Sequence, residues 1–165
     1  MTGQALPAPP SASARASSGP LTRLVATRAD LAAPLLRLGL ALVMWPHGAQ
    51  KLLGWFGGHG YSGTMGFFTG TLGLPAPVGA ATILLEFFGP LLLLVGLGTR
   101  AIAASFVGIM LGAILTVHAK YGFWMNWSGA QAGEGYEYHL LVIAMSLALV
   151  VRGGGSLSVD RRLAG

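Results

Sequence analysis

The sequence predicts an all-α membrane protein, folded as a bundle of four transmembrane helices. Of the 165 residues, 53% are hydrophobic and only 9% are charged, and the mean hydropathy is +0.66. Soluble domains carry about 25% charged residues, so this chain lacks the charged surface that water requires. The apolar residues are also concentrated in four long runs, which indicates lipid as the solvent of the fold.

Residues 1–30 precede the first apolar run and are rich in Ala, Pro and Ser. A segment of this composition cannot bury enough apolar surface to fold, so we predict a disordered cytoplasmic tail. A cleavable signal peptide fits poorly, because the first apolar run is long enough to span a membrane.

The four apolar runs define a membrane domain over residues 31–152. They cover residues 31–56, 77–98, 100–123 and 136–151. A span takes about 20 residues, so the first three runs qualify, and the short fourth run fits a locally thin bilayer. Loops rich in Gly and aromatic residues follow the first and third runs, whereas a tight turn joins the second to the third. Residues 153–165 are predicted to form a short C-terminal tail.

The positive charges predict the orientation, because basic residues concentrate on the cytoplasmic side of a membrane. Four spans place both termini on one side. That side holds Arg15, Arg23, Arg28, Arg100, Arg152, Arg161 and Arg162. The other side has only Lys51 and Lys120, at helix ends. We therefore predict cytoplasmic termini and external aromatic loops.

Small residues recur at helical spacing in the third run, at Ala101, Ser105, Gly108 and Gly112. Between membrane helices, small residues allow two backbones to approach closely. We predict close packing inside the bundle along this stripe. The alternative is a contact between two copies of the chain, which would make a homo-oligomer.

Several ionisable residues fall inside the predicted spans, where each costs at least ~2.5 kcal/mol at mid-depth and therefore suggests a function. They are Arg37, His47, Lys51, Glu86, His118, Glu137 and His139. One stripe of the first helix holds Arg37, Met44, His47 and Lys51. Glu86 lies near mid-membrane, and the histidines and Lys51 are expected in the outer half above it.

Glu86 is the ionisable residue that is hardest to explain without a function. We predict that it either pairs with Arg37 in a structural ion pair or takes part in chemistry. The alternative for Arg37 is to extend its side chain to the cytoplasmic edge. Lys51 and His118 have a simpler alternative as anchors at the membrane interface.

Two prolines interrupt the predicted helices beside these residues. Pro46 precedes His47, and Pro90 removes the backbone N–H that would bond the Glu86 carbonyl. Broken backbone in a membrane persists where neighbouring groups or a wet cavity satisfy it. The two breaks therefore favour a cavity next to the ionisable residues.

Glu137 and His139 open the fourth run about 200° apart, so only one of them is expected to face the interior, and we favour Glu137. No two histidines stand at i, i+4, and we predict no metal site. A haem between His47 and either His118 or His139 is a weaker alternative.

Composition excludes several classes of function. The chain has no cysteine, which excludes disulfides, iron–sulfur clusters, thiol redox chemistry and covalently attached haem. The formal charge is +5, but the basic residues stand singly at the edges of apolar runs rather than on one face. We therefore predict no nucleic-acid partner.

The order and spacing of several motifs resemble the DoxX family of four-helix bacterial membrane proteins. These motifs are Leu-Arg-Leu-Gly-Leu at 36–40, Pro-His-Gly-x-x-Lys at 46–51, Leu-Glu-x-x-Gly at 85–89, Gly-Leu-Gly-Thr-Arg at 96–100, Gly-Tyr-Glu-Tyr at 135–138 and Gly-Gly-Gly-Ser-Leu-Ser-Val-Asp at 153–160. The resemblance covers about residues 31–162. Pro90 stands where the family often has a second glycine.

The resemblance implies a bacterial plasma-membrane protein linked to redox metabolism. A related branch, DoxD, is the quinone-reducing subunit of a thiosulfate:quinone oxidoreductase, and other members resemble partners of oxidative-stress enzymes. We therefore predict a quinone-linked redox subunit that works with a redox partner protein. Its catalytic residues would be Glu86 and His47, and its quinone-binding residues His47, Lys51, His118 and Glu137. The alternatives are a non-catalytic scaffold for a soluble redox enzyme and a small-solute transporter.

Overall fold

The computed structural model describes residues 26–27 and 29–164, and all regular structure in that part of the chain is helical. The elements in chain order are α1 Ala32–Leu53, α2 Gly60–Gly66, α3 Ala76–Val95, α4 Thr99–Ala113, α5 Glu137–Arg152 and α6 Val159–Ala164. A π-helical turn, Phe67–Thr71, extends α2. A second π-helical turn, Ile114–His118, and a 3-10 turn, Ala119–Tyr121, extend α4.

Glycines in the left-handed conformation end the first two long helices. α1 ends at Gly54 (φ 75°) and α3 at Gly96 (φ 70°), and side chains other than glycine rarely adopt this conformation. Pro75 and Pro77 stand at the start of α3, where a missing backbone N–H costs nothing. The tight turn between α3 and α4 is therefore where the sequence predicts it.

The four long helices form a ring, in which α1 packs on α3, α3 on α4, α4 on α5 and α5 on α1. The core inside this ring is apolar. Its buried residues are Ala33, Leu40, Met44, Leu93, Ile102, Ala103, Phe106, Met110, Val142 and Leu149. Where α3 meets α4, Gly89 lies against Phe106, and an added Cβ there would be 3.1 Å from the ring.

Two of the described helices are long and apolar enough to cross a membrane, judged by length and composition. They are Ala76–Val95 and the continuous helix Thr99–Tyr121, with mean hydropathies of 2.1 and 2.0. Only 33% and 22% of their apolar windows are buried inside the protein. Most of this apolar surface therefore points outward, with Leu115 78% exposed, whereas the core helix of a soluble protein would be covered.

The segments on either side of the four-helix ring pack against it. Asp30 forms a 3.0 Å ion pair with Arg152, and the N–H of Ser156 donates to the Asp30 carbonyl. On the C-terminal side of the chain, Asp160 is 1% exposed and accepts hydrogen bonds from the N–H groups of Gly98 and Thr99 at the start of α4. The predicted tail boundaries at residues 30 and 152 therefore do not mark where packing ends. The remainder of the predicted N-terminal tail lies outside the described residues.

The stripe of small residues on α4 does not pack as predicted at its two glycines. A Cβ added at Gly108 or Gly112 would meet no atom within 4 Å. Close packing inside the bundle is therefore wrong for these two positions, because both glycines face open space. A contact between two copies of the chain at this stripe stays a prediction.

The predicted loop after α1 contains α2 and its π-helical extension. The inward residues of this element are Thr64, Met65, Phe68 and Leu72, half-buried or buried at spacings of one, four and eight. That spacing is helical, and it is the signal that could have revealed the element. Its glycine and aromatic residues favoured the prediction of a loop instead.

Candidate functional site

The site begins where α1 crosses α3. A Cβ at Gly48 would overlap the carbonyl of Glu86 and lie 2.5 Å from the N of Phe87, so only glycine permits this crossing. Pro90 cannot supply the helical N–H that the Glu86 carbonyl would accept.

Glu86 pairs with Lys51, whose Nζ lies 2.5 Å from Glu86 Oε2. The Glu86 side chain is 4% exposed and that of Lys51 is 27% exposed. Lys51 follows Gly48 by one helical turn, and a helical side chain leans toward the N-terminus of its helix. The ammonium therefore reaches back to the level at which the two helices touch.

The predicted ion pair between Arg37 and Glu86 is wrong in this structure. Arg37 donates instead to backbone carbonyls, with Nε 2.7 Å from Leu93 O and one terminal nitrogen 2.8 Å from Leu94 O. The physical reason is the register of the antiparallel helices. Arg37 lies roughly 16 Å from Gly48 along α1, which places it level with the end of α3 rather than with Glu86.

The other Arg37 contacts hold the C-terminal segment. A terminal nitrogen of Arg37 donates to Gly154 O at 2.5 Å and to Leu157 O at 2.8 Å. Arg37 is 3% exposed, so it does not extend to the membrane edge as the alternative prediction required. Arg37 therefore links the end of α3 to residues 154–157 through hydrogen bonds.

A cavity of about 780 Å³ lies next to the Lys51–Glu86 pair and is bordered by α1, α3, α4, α5 and the turn after α2. The ionisable residues that line it are His47, Lys51, Glu86, His118, Glu134, Tyr138 and His139. The rest of the lining is mainly apolar. The structure therefore brings the predicted residues His47, Lys51, Glu86 and His118 to one cavity, whereas Arg37 and Glu137 do not line it.

Both π-helical turns border this cavity, Phe67 and Phe68 from the first and Val117 and His118 from the second. A π turn inserts an extra residue, which rotates the following side chains relative to a regular α-helix. Such insertions are frequent at functional sites. Here the second insertion turns His118 toward α5.

The choice between Glu137 and His139 goes against the sequence prediction. Glu137 Oε1 accepts a 3.0 Å hydrogen bond from Trp127 Nε1 of the preceding loop. His139 is 6% exposed and lines the cavity. The buried residues of α5 are His139, Val142, Ser146 and Leu149. Their spacing follows one helical face, a signal in the sequence that places His139 inside.

The His139 ring lies 4.1 Å from the His118 ring, centroid to centroid, with a tilt of 46° between them, and its Nδ1 has no hydrogen-bond partner among the described residues. His118 Nδ1 donates to the Glu134 carbonyl at 2.9 Å. Buried polar atoms in native proteins are almost always paired, and the Nδ1 of His139 is one of four buried side-chain atoms without a partner in the described part of the chain. No signal in the sequence indicated this unpaired atom.

Tyr138 is a cavity residue that the sequence reasoning missed. Its hydroxyl donates to Met44 Sδ at 3.3 Å, and its ring lies 5.7 Å from that of His47. These contacts join α1 to α5 across the cavity. Among residues 26–27 and 29–164, no three His, Asp or Glu side chains gather in an arrangement that could hold a metal ion.

A ring of helices with apolar outer surfaces, enclosing a cavity with an ion pair and an unpaired imidazole nitrogen, defines a helical membrane protein with an internal polar site. The chain belongs to the DoxX family, whose model matches residues 32–119. It is similar to a Bacillus subtilis (strain 168) protein named "Putative oxidoreductase CatD", with 30% identity over 126 residues that cover 76% of this chain and 82% of that protein. No solved structure matches the chain.

Proposed function

We propose that this protein is the quinone-binding membrane subunit of an oxidoreductase. The observation that carries the proposal is the cavity that the Lys51–Glu86 ion pair shares with His139, a buried residue whose Nδ1 has no partner among the described residues. Family membership and the name of the Bacillus subtilis relative support a redox role. The chemistry of the cavity favours a quinone as the ligand.

A quinone needs hydrogen-bond donors for two carbonyl oxygens and apolar walls for its ring. Lys51 uses one ammonium hydrogen on Glu86, which leaves two for a ligand. His139 offers its Nδ1 from α5, and His47 lines the same cavity. The donors therefore come from different helices, so a flat ligand with two opposed acceptors fits between them.

Reduction of a quinone to a quinol adds two electrons and two protons. The chain has no cysteine, and its role is to position the quinone and to supply protons. A reduced two-electron donor on a partner protein supplies the electrons. Lys51 holds a proton at Nζ, 2.5 Å from Glu86 Oε2. The His118 ring lies 4.1 Å from the His139 ring and bonds to the Glu134 backbone, so two imidazoles connect the loop to the buried end of the cavity.

The proposal includes four membrane spans with both termini in the cytoplasm. α1 has 22 residues, enough for a span, and α5 has 16, about 24 Å against a hydrocarbon core of about 30 Å. The ring supports this, because α1 and α5 pack beside the two most apolar helices. Arg100, Arg152 and Arg161 lie toward the end predicted to be cytoplasmic.

The experiment is a calorimetric titration of the purified protein in detergent with a tail-less quinone analogue. We expect saturable binding by the wild type and at least tenfold weaker binding by Lys51→Met. Glu137→Gln is the matched control, since Glu137 bonds to Trp127 outside the cavity and its loss should leave affinity unchanged. Absence of saturable binding by the wild type would favour the scaffold alternative instead.

A further inference from the structure

We infer that the gap between α3 and α4 is a lateral portal, which admits the isoprenoid tail of a membrane quinone directly from the lipid. This inference rests on the proposed function and narrows its substrate to long-chain, lipid-soluble quinones. The portal is lined on α4 by Ser105, Gly108, Gly112 and Thr116, and on α3 by Val78, Ala81, Thr82 and Leu85.

α3 and α4 touch near the turn that joins them, and open space lies beside α4 farther along. Gly89 of α3 lies against Ile102 and Phe106 of α4 near the turn that joins the helices. Beyond Phe106, Gly108 and Gly112 are exposed, and an added Cβ at either would meet nothing within 4 Å. The gap therefore runs along the part of α4 beyond Phe106, where the backbone of α4 forms its surface.

A second observation shows that the gap leads to a ligand site. The residues of the gap line the same cavity as His139, which is 6% exposed and has no partner at Nδ1. The gap is thus continuous with an unsatisfied polar group and with the Lys51–Glu86 pair.

The size and lining of the cavity fit a ligand with a long apolar part. A volume of about 780 Å³ lies toward the upper end of the roughly 300–1,000 Å³ range of small-molecule pockets. A quinone ring is about as large as an aromatic side chain and leaves most of this space free. Phe67 and Phe68 border the cavity on the side of α2. We therefore take the gap between α3 and α4 as the more direct entrance for the apolar tail.

The test compares a long-tailed quinone with its tail-less headgroup analogue on full-length protein in detergent. Gly112→Leu fills the gap with an apolar side chain, and it replaces a helix-destabilising residue with a helix-favouring one, so folding is preserved. Ala104→Leu is the matched control, because Ala104 is exposed on the same helix and does not line the cavity.

We expect Gly112→Leu to weaken binding of the long-tailed quinone at least tenfold and to change binding of the analogue less than twofold. Ala104→Leu should change neither affinity. Equal loss for both ligands, or no loss for either, would overturn the portal alone. Release of a co-purified phospholipid by Gly112→Leu, with unchanged quinone affinity, would assign the gap to an acyl chain and also overturn it. Failure of the wild type to bind either quinone would contradict the proposed function itself.

Discussion

Gly48 of α1 lies so close to the Glu86 carbonyl of α3 that a methyl group cannot fit between them. This contact sets the register of the two helices, and the register decides which residues meet. It brings Lys51 to Glu86 and leaves Arg37 level with the end of α3. The cavity and its ion pair thus depend on one glycine.

Gly48→Ala should destabilise the bundle by about 1–3 kcal/mol, because the added methyl group collides with backbone that has no rotamer to escape into. Thermal unfolding in detergent measures this loss. Gly112→Ala is the matched control, since its methyl group would enter open space. Equal melting temperatures for the two variants would show that the α1–α3 crossing is not tight.

Lys51 and Glu86 should show strong coupling in a double-mutant cycle. Glu86→Gln or Lys51→Met alone leaves a charge without its partner, and the loss should be smaller than the roughly 3–5 kcal/mol of a fully buried pair, because the Lys51 side chain is 27% exposed. The double variant should recover part of that loss. A parallel cycle with Arg37→Gln and Glu86→Gln should be additive, because these residues do not touch. Coupling in the Arg37 cycle would contradict the register described here.

Asp160 should stabilise the fold although it belongs to the short segment after α5. Its two carboxylate oxygens accept from Gly98 N at 2.7 Å and Thr99 N at 2.8 Å. Asp160→Ala should cost about 2–4 kcal/mol, because two N–H groups lose a charged acceptor. The neighbouring exposed Arg161 provides the control, and Arg161→Gln should melt like wild type. A similar melting temperature for both variants would leave the C-terminal segment without a structural role.

The orientation can be tested by single-cysteine labelling, because the chain has no cysteine of its own. His59 and Ser128 are exposed at the end predicted to be external, and Leu163 is exposed at the opposite end. A membrane-impermeant thiol reagent should label His59→Cys and Ser128→Cys in intact cells, and Leu163→Cys only after lysis. The reverse pattern would place the termini outside.

Hydropathy, glycines and prolines in the sequence were sufficient to predict a helical bundle with a turn between α3 and α4. The convergence of His47, Lys51 and Glu86 was also predictable, because membrane helices alternate in direction and place residues at a common depth. These arguments use distance along each helix, which the sequence states directly.

The partner of Glu86 was not predictable in this way. The sequence analysis considered only Arg37 as that partner, and the pairing with Lys51 depends on a backbone contact at Gly48 that no pattern reveals. The sequence does contain a signal that favours His139 over Glu137 as the interior residue, because His139, Val142 and Ser146 share a helical face. The opening beside Gly112 was hidden, since small residues serve close packing and open grooves alike.

The most direct test of the proposed quinone site follows the four histidines by nitrogen NMR in protein labelled with ¹⁵N-histidine. Resonances are assigned with single His→Gln variants, and a tail-less quinone analogue is then titrated. We predict that the His139 Nδ1 resonance shifts saturably, because this atom gains the partner it lacks. His59, exposed in the loop and absent from the cavity lining, should not move. An unchanged His139 resonance at the highest analogue concentration, or equal shifts at His59, would contradict a quinone site in this cavity.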